Sequence, residues 1–173
     1  MKPIKDIMVH GDYVAFWGGV FSNFYPCEIH VENDWWDRPV DLHFKSSEQY
    51  FMWQKAEYFE DHETAKEILK AEKPEEAKKL GRKVKGFDEK EWSGAREAAM
   101  WNAVYAKFSQ NQNLREIITD DQFKGKSFVE GSPFDGIWGV KLDWRDERIA
   151  DPDNWQGLNL LGKTLDRVRR ELL

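Results

Sequence analysis

The chain has 173 residues, 40% hydrophobic and 14% aromatic, enough apolar material for one compact core. Lys plus Arg number 26 against 32 Asp plus Glu, and the net charge of -6 argues against a protein that holds duplex DNA chiefly by neutralising phosphates. No run approaches the roughly 18 apolar residues that cross a bilayer. The start MKPIKDIMVHGDY lacks the apolar core of a signal peptide and Cys27 has no second cysteine to pair with, so a reducing cytoplasm is expected.

Residues 13 to 44 mix β-branched and aromatic residues with turn punctuation, and Tyr13 to Trp17, Glu28 to Val31 and Val40 to Phe44 are the expected strands. Ser46 or Ser47 then caps a first helix running to about Phe59, with Glu48 in its first turn. Asp61 or His62 opens a second helix to about Ala71. Lys73-Pro74 opens a third, closed by Gly81 past its last apolar residue. From Asp88 a long helix carries the stripe Trp92, Ala95, Ala99, Ala103, Ala106 and Phe108. A short helix over Asn113 to Ile118, a strand over Ser127 to Glu130, a long loop from Gly131 to Gln156 and a helix from Leu158 to Leu173 complete the chain. A loop of that length inside a compact domain is usually functional or disordered. Most of the nine Trp residues are expected in the core, with a minority lining a site.

Three stretches have the residues for chemistry. In SSEQYFMWQKA, Glu48 and Lys55 stand seven apart, which on a helix returns to nearly the same face about 10 Å along the axis. From spacing alone, two solvated surface charges explain the pair more simply. In VEGSPFDGIWG, Gly136 and Gly139 permit a close backbone approach to an anion or sugar, and Asp135 is a candidate ribose acceptor or base, although Asp-Gly is also an ordinary turn. In WQGLNLLGKTL, Gly157, Asn159 and Gly162 surround a helix start suited to a phosphate, and equally to capping and packing. Dinucleotide, Walker, zinc-protease and nucleophile-elbow signatures are missing. The four His residues are well separated in the chain with no zinc-ligand spacing, so neither a metal nor another cofactor is implied.

Taken in order, FSNF, SSEQYFMWQKA, the D-x-x-x-A helix from Asp61, KKLGRKVKGFD, Trp92, AKFSQNQNL, VEGSPFDGIWG and GLNLLGKTLDRVR resemble the NADAR (YbiA-like) family from about Tyr13 to the C-terminus. The resemblance implies an α+β fold: a single, mostly helical domain over residues 1–173 with a short-stranded β portion at its N-terminal side. It also implies N-glycosidase chemistry at a ribose C1–N bond. Family substrates are ADP-ribosylated guanine bases in nucleic acid or ribosylamine intermediates of riboflavin synthesis. The first is preferred here because the loop from Phe134 to Trp155 and the residues before Glu130 make room for a larger substrate. A non-enzymatic module binding ADP-ribose is the rival class. An ADP-ribosyltransferase toxin is the implied partner of an eraser of this kind, with only local contact to nucleic acid and none to membrane.

Matched residue by residue, Glu48, Lys55 and Asp135 carry the catalytic expectation. Asn23, Ser47, Arg82, Trp92, Lys107, Trp138, Gly139, Asn159 and Gly162 carry substrate binding. Two features depart from the family pattern. The stretch from Thr119 to Glu130 is longer, and Asp166 replaces an apolar residue of the closing helix, which reads as a solvent-facing change.

Overall fold

The computed structural model describes residues 4–173, so Met1 to Pro3 of the polar start lie outside it. The chain divides into two compact units, one built from residues up to Tyr25 together with Asn113–Leu173, the other from Pro26–Gln112.

The first unit is organised on a three-stranded sheet. Strands β1 (Ile7–His10) and β2 (Tyr13–Phe16) pair antiparallel. The distant β5 (Ser127–Glu130) joins β2 in parallel, with Tyr13 opposite Ser127 and Phe16 opposite Glu130. Pattern reading missed β1 because its sequence, IMVH, is short and only His10 of it is buried. The last helix, α6 (Leu160–Leu172), lies on β5 and buries Leu161, Leu165, Val168 and Leu172. Phe21, Phe123 and Phe128 interlock with ring centroids 4.6–5.6 Å apart. Phe123 belongs to the stretch that is longer than the family pattern, which therefore feeds the core.

The free edge of β5 is closed by side chains of α6 and its cap. Asn159 accepts from the Glu130 N–H at 3.0 Å and donates to the Phe128 carbonyl at 3.0 Å, while Asp166 accepts from the Phe128 N–H at 2.9 Å. Asp166 is thus not a solvent-facing replacement. Its carboxyl is pushed above the usual range chiefly by burial, against the opposing effect of the hydrogen bond from Phe128.

The loop from Gly131 to Gln156 is ordered. Val140, Leu142 and Ile149 pack with Ala15 and Val129, flanked by Tyr13, Trp144 and Trp155. A methyl group on Gly131 would lie 2.2 Å from the Trp144 backbone, so only glycine lets the chain fold back there.

In the second unit, β3 (Ile29–Asn33) and β4 (Pro39–Phe44) form an antiparallel hairpin with His30 opposite His43. Its turn is held by the buried Asp34 carboxylate, which accepts from the N–H groups of Trp36 and Arg38. Helix α1 (Ser47–Tyr58) packs against α2 (His62–Lys70), α3 (Pro74–Gly81) and α4 (Glu89–Gln110). Ser46, Asp61 and Asp88 cap α1, α2 and α4 through their side chains, as expected. Gly81 does not end α3 as a left-handed cap. It sits in the last turn, where an added methyl would strike the Met52 sulfur, so close helix packing explains it. The alanine stripe of α4 is buried throughout. Helix α5 (Gln112–Ile118) leads back to the first unit. Among the described residues no helix is long and apolar enough to cross a membrane.

Candidate functional site

Helix α1 buries nine of its twelve residues, four of them polar: Ser47, Glu48, Gln49 and Gln54. A surface helix hides one stripe, so a helix enclosed this far must give its polar groups partners inside the protein. Glu48 is 7% exposed, which removes the reading of it as a solvated surface charge. Lys55, two turns on, is half-buried with its amine 4.4 Å from the centre of the Phe87 ring. Burial pushes the Lys55 amine below the ordinary lysine range; Glu89 and Glu48 oppose that shift and Arg82 adds to it. Glu48, Lys55, Arg82 and Glu89 therefore share one electrostatic neighbourhood, with the carboxylate in the first turn of α1, where the helix dipole favours negative charge.

A second buried group sits at the start of the same helix. Lys107 is 1% exposed and desolvation lowers its pKa to about 7, with Cys27 opposing. Burial in turn pushes the Cys27 thiol up, against the pull of Lys107 and a hydrogen bond from the Ser47 N–H. Lys107, Cys27 and Ser47 are thus contiguous, one residue before Glu48. Trp92, expected at the substrate, packs among Phe51, Tyr58 and Phe59 with 5% exposure, a core position. Trp53 is the other buried tryptophan. Five of the nine are half-buried and Trp17 and Trp36 are exposed, so fewer lie deep in the core than composition implied.

The remaining candidates, Asn23, Asp135, Trp138, Gly139, Asn159 and Gly162, belong to the other unit. Asn23 is buried there. One Asp135 oxygen accepts from the N–H groups of Ile137 and Trp138, both at 2.9 Å, which shapes the turn that presents the Trp138 ring half-exposed. The carbonyls of Ile137 and Trp138 accept from the N–H groups of Leu160 and Leu161, both at 3.1 Å. These are the first two donors of α6, so two of the groups a phosphate would use there are taken by this chain, which favours the capping and packing reading of the glycines around the helix start. Asn159 is a left-handed residue, φ 53°, with both side-chain polar atoms on β5. A methyl on Gly162 would meet the Phe128 carbonyl at 2.1 Å, and one on Gly139 the Glu130 carbonyl at 2.8 Å. Backbone pairing and close packing account for Asn159 and Gly162, and Gly139 too has no room for a side chain.

Sequence reading overlooked several polar residues that build the ground around Glu48. Gln49 accepts from the Lys45 N–H and donates to the carbonyls of Ile68 and Ala71, closing the end of α2. Gln54 donates to the Ala99 carbonyl and accepts from Asn102, tying α1 to α4. The only available signal was a glutamine on each side of an otherwise apolar run.

Residues 15–173 match the model of the NADAR domain, and the chain belongs to that family. It is 44% identical over 161 residues to the Caenorhabditis elegans protein irg-1, covering 88% of this chain and 75% of the relative. It is 33% identical over 170 residues to an N-glycosidase of Acanthamoeba polyphaga mimivirus, covering 92% and 95%. Its fold matches the NMR structure of the Escherichia coli protein YbiA with a TM-score of 0.71 and 26% identity, over 97% of this chain and 89% of that one. Several relatives, among them the Shigella flexneri N-glycosidase YbiA at 30% identity, carry the activity in their names, and the chain is an N-glycosyl hydrolase.

Proposed function

We propose that this protein removes ADP-ribose from guanine bases of nucleic acid by hydrolysing the bond between ribose C1 and the base nitrogen. The observation that carries the chemistry is the buried carboxylate of Glu48 on the same helix as Lys55, an amine whose proton affinity is lowered by burial. In this reading the uncharged Lys55 amine attacks C1 while the C1–N bond breaks, and the Glu48 carboxylate takes the proton that the attacking nitrogen sheds and passes it to the departing base. The remaining N–H proton moves to the ring oxygen as the C1–O bond breaks, and the sugar ring opens to an imine on Lys55. Glu48, again a carboxylate, carries a proton from the water that adds to C1 to the Lys55 nitrogen. As the new hydroxyl gives up its proton to that nitrogen, C1 becomes the aldehyde of the released ADP-ribose and the amine leaves uncharged. Arg82 lies in the right neighbourhood to hold the diphosphate.

Support for a base within a polymer comes from the aromatic pair beside the D-x-x-WG turn. Phe134 is 79% exposed and its ring centre lies 6.1 Å from that of Trp17, itself 45% exposed. Exposed rings of this kind stack bases, each stacked base contributing about 1–3 kcal/mol. An ADP-ribosyltransferase, as a toxin partner, is the class of enzyme that would supply such a substrate.

A second reading, hydrolysis of ribosylamine intermediates, is favoured by relatives named riboflavin biosynthesis proteins in maize and Vibrio vulnificus, of which the alignments cover 23% and 35%. Mass-spectrometric turnover of a guanine-ADP-ribosylated oligonucleotide against a free ribosylamine phosphate separates the two. Faster release from the oligonucleotide is expected, and preference for the ribosylamine would reverse the assignment.

A further inference from the structure

The four histidines are scattered in sequence, but the β3–β4 pairing brings two of them face to face. His30 and His43 are directly opposite, with rings stacked at 4.4 Å and only 6° apart in plane. Gln110 occupies both backbone polar groups of His30, accepting from its N–H at 2.8 Å and donating to its carbonyl at 2.9 Å. Those groups therefore point away from β4, which makes His30 and His43 a non-hydrogen-bonded cross-strand pair, the kind with side chains closest together. Asp41 projects from β4 on the same outward face as His43, two residues away. One Asp41 oxygen lies 2.8 Å from His30 Nε2 and 3.3 Å from His43 Nε2.

We infer that His30, Asp41 and His43 form a binding site for a divalent transition-metal ion of the zinc class, separate from the N-glycosidase chemistry. Two imidazole nitrogens whose N–H groups aim at one carboxylate oxygen have directions that converge on a point, and a shift of each proton to Nδ1 turns the same two directions into lone pairs for an ion. The three ligand atoms lie within 4.8 Å of one another, and this is the one such group of three His, Cys, Asp or Glu side chains among the described residues. Around a tetrahedral ion with bonds of about 2.0–2.1 Å, ligand atoms stand about 3.3 Å apart. The Asp41–His43 separation already has that value. Asp41 is 82% exposed at its side chain, so rotating its carboxylate outward opens the position for the ion without moving the backbone.

Imidazole with carboxylate suits zinc, copper or nickel and not calcium or magnesium, which take oxygen ligands. Three protein ligands leave at least one position to water. The ion would bridge the two strands of the hairpin, and because it binds the folded register alone it would stabilise that register by mass action.

The test is isothermal titration of the purified protein with zinc chloride, followed by the visible absorption of the cobalt(II) form, whose intensity reports coordination number. One zinc per chain is expected, with affinity falling at least tenfold in His43→Ala and in Asp41→Asn. His10→Ala, His62→Ala and Cys27→Ser should leave it unchanged. All three ligands are exposed, so far-ultraviolet circular dichroism should be unaltered, and the milder His43→Gln serves if His43→Ala is not. N-glycosidase turnover should survive dialysis against EDTA. Absence of binding below about 1 mM zinc, or equal affinity in His43→Gln, Asp41→Asn and the parent, would overturn the site.

Discussion

Gln110 holds both backbone polar groups of His30, and Asn111 repeats the arrangement one step along, accepting from the Glu28 N–H at 3.4 Å and donating to its carbonyl at 2.9 Å. The end of α4 thereby acts as a false third strand, closing the edge of the β3–β4 hairpin that would otherwise present unpaired donors and acceptors. Gln110→Ala should cost about 1–3 kcal/mol, since two exposed hydrogen bonds return to water at about 0.5–1.5 each. At this chain length that corresponds to a fall of about 2–12 °C in Tm, measurable by differential scanning calorimetry. An unchanged Tm would show that the amide contacts do not hold the edge.

Glu48→Gln and Lys55→Ala should each lose about 10²–10⁴-fold in kcat, the usual contribution of a positioned acid or base, while far-ultraviolet circular dichroism stays native. Glutamine keeps the shape at a buried position and loses only the proton. Borohydride added during turnover should reduce the imine and leave a sugar mass on Lys55, visible by peptide mass spectrometry and missing in Lys55→Ala. Turnover near the parent level in both variants would bring the ADP-ribose-binding module forward.

Lys107 makes a prediction about stability and pH. Its folded pKa of about 7 lies below its ordinary value of 10.5, so between these limits the unfolded chain carries a proton that the folded chain lacks. The destabilisation is largest below pH 7 and is relieved as pH rises towards 10.5, by up to about 1.4 kcal/mol per pH unit. Denaturant melts of the parent and of Lys107→Met should diverge accordingly, the parent gaining relative stability between pH 7 and 10. Parallel pH profiles would mean that Lys107 is charged in the fold.

Trp138→Ala should raise KM for the nucleotide substrate more than it lowers kcat, because stacking on a half-exposed ring is mostly present before the bond breaks. Its backbone carbonyl keeps the bond to Leu161 in the variant, so the turn is retained. A variant with unchanged KM would assign the ring to packing.

Asn159→Ala separates architecture from phosphate binding. The variant leaves the Phe128 carbonyl and the Glu130 N–H unpaired and forces alanine into the left-handed region, together about 3–8 kcal/mol. Asn159→Gly should recover the conformational part alone. In the fraction that folds, KM should match the parent; a raised KM with unchanged Tm would restore the phosphate reading.

The motifs from FSNF to GLNLLGKTL were legible in the one-dimensional chain, as were the helices, because caps such as Ser46, Asp61 and Asp88 and the alanine stripe of α4 are local signals. The same is true of the pairing of Glu48 with Lys55, since a helix fixes which face residues seven apart share. Burial is different: whether that face meets water depends on α2, α3 and α4 closing around α1, and nothing in the spacing distinguishes a solvated pair from one whose amine is depressed. Asn159 and Asp166 looked like a phosphate ligand and a surface replacement because their partners on β5 lie 29 to 38 residues away in the chain. His30 and His43 looked unrelated for a like reason, since only the register of an antiparallel pair, set by turn and bulge, decides which side chains face each other.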